Sequence, residues 1–270
     1  MLTRLFIILF FASLPSMCCS GERESLLLFH ALCKGQAEAK GLQVVRDFGA
    51  EWQLARNSKS RKADLLLSMT AYGDKDSEDL KRIARIATDE SESPDVRERA
   101  FQYLGRCSQD GVSSDSEYST EVLYGIIRRD KELTIKVSAF EVLSHSKTPG
   151  SRLLRQWIRT IIAVQADTVL VRRMIELPHG SLREYGVLDD NDFVSWIGMS
   201  IECPEVTDDT RIIALKLILA EPWGAFGQLS RSLRSDMMDL GERCSENMSF
   251  STQVNQLGRA LIDICNEFPK

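Results

Sequence analysis

Apolar residues recur at helical spacing along nearly the whole chain. Between Ser93 and Cys107, the positions Val96, Ala100, Tyr103, Leu104 and Cys107 fall at i, i+4, i+7, i+8 and i+11, which places them on one face of a helix. Pro94 suits the first turn of that helix, Ser93 is placed to cap it, and Asp95 favours its positive end. Thr207 or Asp208 can likewise cap a helix in which Ile212, Leu215 and Leu219 recur before Pro222. Gly35, Gly73, Pro149-Gly150, Pro178-His179-Gly180, Pro204 and Glu221-Pro222-Trp223-Gly224 interrupt the pattern after about one helix or one hairpin. The spacing predicts helices over 22–34, 40–56, 60–72, 76–89, 94–107, 117–129, 131–146, 150–164, 167–177, 190–201, 208–220, 226–243 and 252–267, with no strand. The Ser/Asp-rich stretch from Ser108 to Ser119 reads as the longest loop, and as a mobile one.

These helices repeat. Ser93–Leu104 aligns with Glu132–Leu143, so that Ala139 follows Ala100 by 39 residues and Leu143 follows Leu104 by 39. Weaker copies stand at Ala63/Leu67, at Arg172/Ile175 and at Asp209–Ala214, where Ala214 follows Ile175 by 39; the whole series has a spacing of 36 to 39 residues. A period of that length predicts stacked helical hairpins. The small residue lets two helices approach closely, and the leucine one turn later fills the layer between them. One hairpin has too little core alone and buries its faces against its neighbours.

The segment Pro94-Asp-Val-Arg-Glu-Arg-Ala100 followed by Leu104 resembles the second helix of HEAT repeats of the bacterial type, with its Pro-x-Val-Arg-x-x-Ala core. Leu133–Ala139 is a degraded version with Lys136 in the Arg position, and Asp209–Ala214 another with Thr210 in the Val position. Three units are legible, and direct resemblance covers roughly half the chain beyond its leader. The resemblance implies an all-α fold, an α-solenoid of stacked antiparallel helical hairpins in a HEAT/armadillo-like superhelix, and an interaction scaffold. It also implies a lesser possibility, since some HEAT-like proteins are lyases that attach pigments to proteins.

Arg4 is followed by the apolar run Leu5–Leu14 and by Pro15-Ser-Met-Cys-Cys-Ser20, the parts of a secretory signal. The run is shorter than the roughly 20 apolar residues a spanning helix needs. Residues 1–20 are therefore expected to be a signal peptide, residues 21–270 one helical-repeat domain best marked over 93–220, and the product exported to the periplasm or beyond. Cleavage after Ser20 is one option. Lipidation of Cys18 or Cys19 is the other and would tether the protein to a membrane, although Met17 before Cys18 and Ser16 three before Cys19 fit that signal poorly.

Beyond Ser20, 33 basic residues face 39 acidic ones, a net of −6, which gives no global pull toward nucleic acid. Cys33, Cys107, Cys203, Cys244 and Cys265 show no metal-binding spacing. Buried thiols on helices are expected, with Cys203–Cys244 or Cys244–Cys265 as the bridges if any form. His30, His145 and His179 are isolated, and no nucleophile, phosphate-loop or zinc motif is present. Leu188–Phe193 gathers three carboxylates without calcium-loop spacing and reads as a helix start. No catalytic residue, cofactor or metal site is assigned.

Charge is distributed unevenly. Arg128 to Arg173 carries ten basic and four acidic residues, whereas Glu184 to Thr210 carries eight acidic residues and no Lys or Arg. Within the basic block Arg152, Arg155 and Arg159 line one helix face near Trp157, a candidate partner-binding stripe. An ordinary solvated face, or pairing with the acidic block one or two repeats later, is the plainer use. The sequence points first to a non-enzymatic scaffold for a protein partner of unspecified identity, with no nucleic acid. A second reading is a periplasmic immunity or inhibitor protein that blocks a toxin or cell-wall enzyme, and a third the lyase-type enzyme.

Overall fold

The computed structural model describes residues 31–73, 76–109, 113–144, 150–177, 190–220 and 230–267. These residues form thirteen helices and no strand: α1 (31–39), α2 (Phe48–Leu54), α3 (Lys59–Tyr72), α4 (Ser77–Thr88), α5 (Pro94–Ser108), α6 (Ser114–Arg129), α7 (Leu133–Ser144), α8 (Gly150–Val164), α9 (Thr168–Leu177), α10 (Asp190–Glu202), α11 (Asp208–Ala220), α12 (Arg231–Glu246) and α13 (Thr252–Glu267). The protein is all-α. The expected signal segment and most of the first expected helix lie outside the described residues.

Four local expectations are corrected. Gly35 lies inside α1, and the break comes instead at Gly41, whose φ of 66° is the left-handed conformation that glycine adopts without strain. The helix expected over 40–56 shrinks to α2 because the Asp47 carboxylate accepts from the Ala50 N–H at 2.9 Å and starts the helix there. The Ser/Asp run after Ser108 is largely the start of α6: the Ser113 hydroxyl accepts from the Ser116 N–H, and the Ser116 hydroxyl donates to the Ser108 carbonyl at 2.8 Å. Ser93 occupies the N-cap of α5, yet its buried hydroxyl has no hydrogen-bond partner, so Pro94 in the first turn marks the start there.

The odd-numbered helices from α3 to α13 pack in series, and α4 packs with α6, α6 with α8 and α10 with α12. Every substantial inter-helix packing among the described residues joins helices adjacent or next-but-one in the chain: α2 with α3, α4 with α5, α6 with α7, α8 with α9, α10 with α11 and α12 with α13, while α3, α5, α7, α9, α11 and α13 each pack on the next. Buried side chains from α2 to α13 form one continuous core cluster. In four of the copies the repeat register is buried: Val96, Ile135, Val171 and Thr210 share one position, Ala100, Ala139, Ile175 and Ala214 the next, and Leu104, Leu143 and Ile218 follow a turn later. Each large apolar side chain so buried contributes about 1.5–3 kcal/mol relative to exposure. The α12 and α13 backbones approach closely, and a Cβ on Gly258 would stand 2.7 Å from the Cys244 Cβ and 2.9 Å from the Gly241 carbonyl oxygen.

A polar brace recurs with the same register. Arg97 Nε donates to the Ala87 carbonyl at 3.0 Å, ten residues back, and Arg211 Nε to the Ile201 carbonyl at 2.7 Å, also ten back. Lys136 stands in the same position and donates to the Ile127 carbonyl at 2.8 Å, while burial pushes its ammonium below the usual range. Each brace ties the start of an odd helix to the last turn of the even helix before it, satisfying a carbonyl that the helix end leaves open. Arg97 also pairs with Asp130, and both side chains are buried. Arg211 adds Asp208 and the Cys203 carbonyl, and its guanidinium lies 4.5 Å from the Phe250 ring centre.

Candidate functional site

Helix α8 is sharply two-sided. Leu153, Trp157, Ile161 and Val164 turn inward and are fully buried, while Arg155 and Arg159 are exposed and Arg152 is half-buried. The structure thus brings the three arginines to one face and removes Trp157 from it. That residue belongs to the core: its Nε1 donates to the Met174 carbonyl at 2.7 Å, and its ring lies 5.6 Å from that of Trp196. At 100° per residue Trp157 sits about 200° around the helix from Arg155 and from Arg159, so the correction follows from helix geometry.

Arg152 is partly committed within the fold. It pairs with Glu121 on α6, and its guanidinium stacks 3.9 Å from the Tyr124 ring centre. A half-exposed pair of this kind contributes at most about 1 kcal/mol, and the cation–ring contact a similar amount. Their effect is to lay the base of the stripe against α6. Arg173 grips Glu141 on α7 through both Nε and Nη2, and Lys136 is held at its carbonyl. Lys131, 87% exposed, reaches Glu90 at 3.6 Å. Among the described residues Arg128, Arg129 and Arg159 form no ion pair.

Two carboxylates of the acidic block find partners outside the basic one. Glu202 pairs with Arg243 on α12, two helices on, and Asp208 takes Arg211 and the Ser251 N–H at 2.7 Å. Although partial burial pushes the Asp208 carboxyl up, these hydrogen bonds hold it below the usual carboxylate range. Arg152 and Arg173 of the basic block instead reach back to Glu121 on α6 and Glu141 on α7, each two helices earlier in the chain. Glu184 to Asp189 lie outside the described residues.

Cys33, Cys107, Cys203, Cys244 and Cys265 are all reduced, so neither candidate bridge is formed. Burial pushes the Cys33 and Cys244 thiols up to about 11, leaving them protonated and unreactive at neutral pH. Cys203 is half-exposed, and its thiol donates to Glu205 Oε2 at 2.9 Å. His30, His145 and His179 lie outside the described residues, as do Leu188 and Asp189. Among the described residues no three His, Cys, Asp or Glu side chains are placed to hold a metal ion, and no helix is long and apolar enough to cross a membrane.

Two features beside the stripe escaped the sequence pattern. One is the Arg97–Asp130 pair, whose only signal is an arginine flanked by the buried Val96 and Ala100. The other is a groove between α4 and α6, with Tyr118 and Val122 along one side and Gly125 in its floor. Set against family models, curated proteins and solved structures, the chain gives no significant match to any of them.

Proposed function

We propose that the chain is an exported, non-enzymatic α-solenoid of HEAT-like hairpins that binds another protein across an extended surface. The observation that supports the reading is the packing of helices mainly on near neighbours in the chain, in register with the repeated brace at Arg97, Lys136 and Arg211. Proteins built this way grow by adding units and present long surfaces rather than one enclosed pocket. The exposed Arg155 and Arg159, laid beside α6 by Arg152, form the charged part of that surface. Complementary charge there would speed encounter and reject wrong partners.

Scattering tests the architecture: a compact globule of this size has a radius of gyration of about 18 Å, and a superhelix exceeds it clearly. Affinity capture followed by quantitative binding tests the function. Arg155→Glu with Arg159→Glu weakens the partner at least about tenfold, mainly through slower association at low salt. Unchanged affinity removes the stripe from the proposal. Intact mass of the exported product decides between cleavage after Ser20 and a lipid on Cys18 or Cys19.

A further inference from the structure

The outward face of α6 borders a groove of about 470 Å³ against α4 and the turn that follows it. Tyr118 stands at its edge, 41% exposed, with Val122 and Ile126 further along the wall. Gly125 forms part of the floor. A Cβ added there would meet no atom within 4 Å, so packing does not call for glycine, and a glycine inside a helix weakens it relative to alanine. The fold thus bears a local cost that leaves the groove deeper than it would otherwise be.

The three carboxylates that line this groove are each taken by a basic side chain other than its two lining arginines. Glu121 is taken by Arg152, Glu90 by Lys131, and Asp130 by Arg97. Arg128 and Arg129, both exposed in the last turn of α6, form no ion pair among the described residues. Through the Glu121–Arg152 contact the same rim continues onto α8 and its exposed Arg155 and Arg159. Apolar floor and cationic rim call for opposite properties in one ligand.

We infer that this groove anchors an acidic protein segment carrying one large apolar side chain, which fills the space over Gly125 while flanking carboxylates meet Arg128 and Arg129 and, beyond Arg152, Arg155 and Arg159. The inference rests on the reading of the chain as a protein-binding scaffold. Desolvating an apolar anchor inside a charged rim gives such a site its specificity. A purely polyanionic ligand would use the rim alone.

The test uses the purified protein and two short fluorescein-labelled peptides of Asp, Glu, Gly and Ser, identical except for a central Leu or Ser. Anisotropy is expected to show saturable binding of the leucine peptide, at least about tenfold tighter than the serine peptide. Gly125→Trp and, separately, Arg128→Glu with Arg129→Glu each remove that preference. Gly125→Gln fills the same space with a helix-compatible chain and keeps the test valid if the tryptophan variant loses helix content by circular dichroism. Equal affinity for the two peptides, displacement of both by heparin at equal concentration, absence of saturable binding, or indifference to Gly125→Gln overturns the inference. A natural partner that depends on Arg155 and Arg159 but ignores the Gly125 variants overturns the groove and leaves the scaffold reading intact.

Discussion

Replacing Asp130 by alanine removes the one carboxylate that faces Arg97 in the interior, where the arginine is 2% exposed and the aspartate 5%. The Nε donor keeps the Ala87 carbonyl at 3.0 Å, but Nη2 is left buried without an acceptor, and the Glu132 N–H loses the Asp130 oxygen at 2.9 Å that leads the chain into α7. Stranding a buried charge in this way costs about 3–5 kcal/mol. For a domain of this length that corresponds to a fall in melting temperature of roughly 6–20 °C, taking about 2–4 °C per kcal/mol. Lys131→Ala is the control on the adjacent residue, because its pair with Glu90 spans 3.6 Å between largely exposed groups and contributes below about 1 kcal/mol. Urea unfolding followed by circular dichroism measures both, and amide hydrogen exchange shows whether the loss centres on α4 to α7. If Asp130→Ala falls within about 1 kcal/mol of Lys131→Ala, the brace is not the junction described here. Arg97→Met with Asp130→Leu should recover most of the loss, since apolar residues of similar volume replace buried pairs well.

Other outcomes follow from the same geometry. Gly258→Ala forces α12 and α13 apart, because its Cβ would stand 2.7 Å from the Cys244 Cβ and 2.8 Å from the Ser245 nitrogen, and should cost about 1–3 kcal/mol by denaturant titration; Gly125→Ala, with open space, should stabilise by up to about 1 kcal/mol. Under native conditions iodoacetamide should modify Cys203 well before Cys33 or Cys244, whose thiols burial holds near 11, with mass spectrometry reading the order; early labelling of Cys244 would contradict its burial. Because the folded-state carboxyl of Asp208 lies below its unfolded value, its contribution is present above about pH 4 and lost as pH falls through the lower folded value. Asp208→Asn should therefore flatten the acid limb of the stability curve, and an unchanged limb would argue against the hydrogen bonds from Arg211 and Ser251.

Periodicity carried much of this fold. The spans 150–164, 208–220 and 252–267 are legible to the residue because a Pro, Gly or capping side chain stands beside an amphipathic run. Less legible were breaks made by a single carboxylate, as at Asp47, and helix starts disguised as loop composition, as at Ser113. Serine and aspartate carry both signals, and only the three-dimensional position of the next free N–H decides between them. Of the candidate stripe, the arginines were found because i, i+3, i+7 spacing defines a face. Trp157, adjacent to the stripe in sequence, lies about 200° around the helix from Arg155 and Arg159 and is buried. The groove at Gly125 has no linear signature, since its walls come from α4 and α6 and its depth from a missing side chain.

Packing mainly between near neighbours in the chain has a mechanical corollary. If the hairpins stack as proposed, a pull applied to the two ends would be carried mainly from one hairpin to the next, with the Arg99–Gln36 hydrogen bond between α5 and α1 as a longer tie. Extension should then proceed in steps, each the release of one hairpin, with the tight α12/α13 crossing and the Arg97–Asp130 junction among the steps that yield last. Between such steps a stack of this kind would act as a compliant spring, adjusting its curvature at small cost per interface.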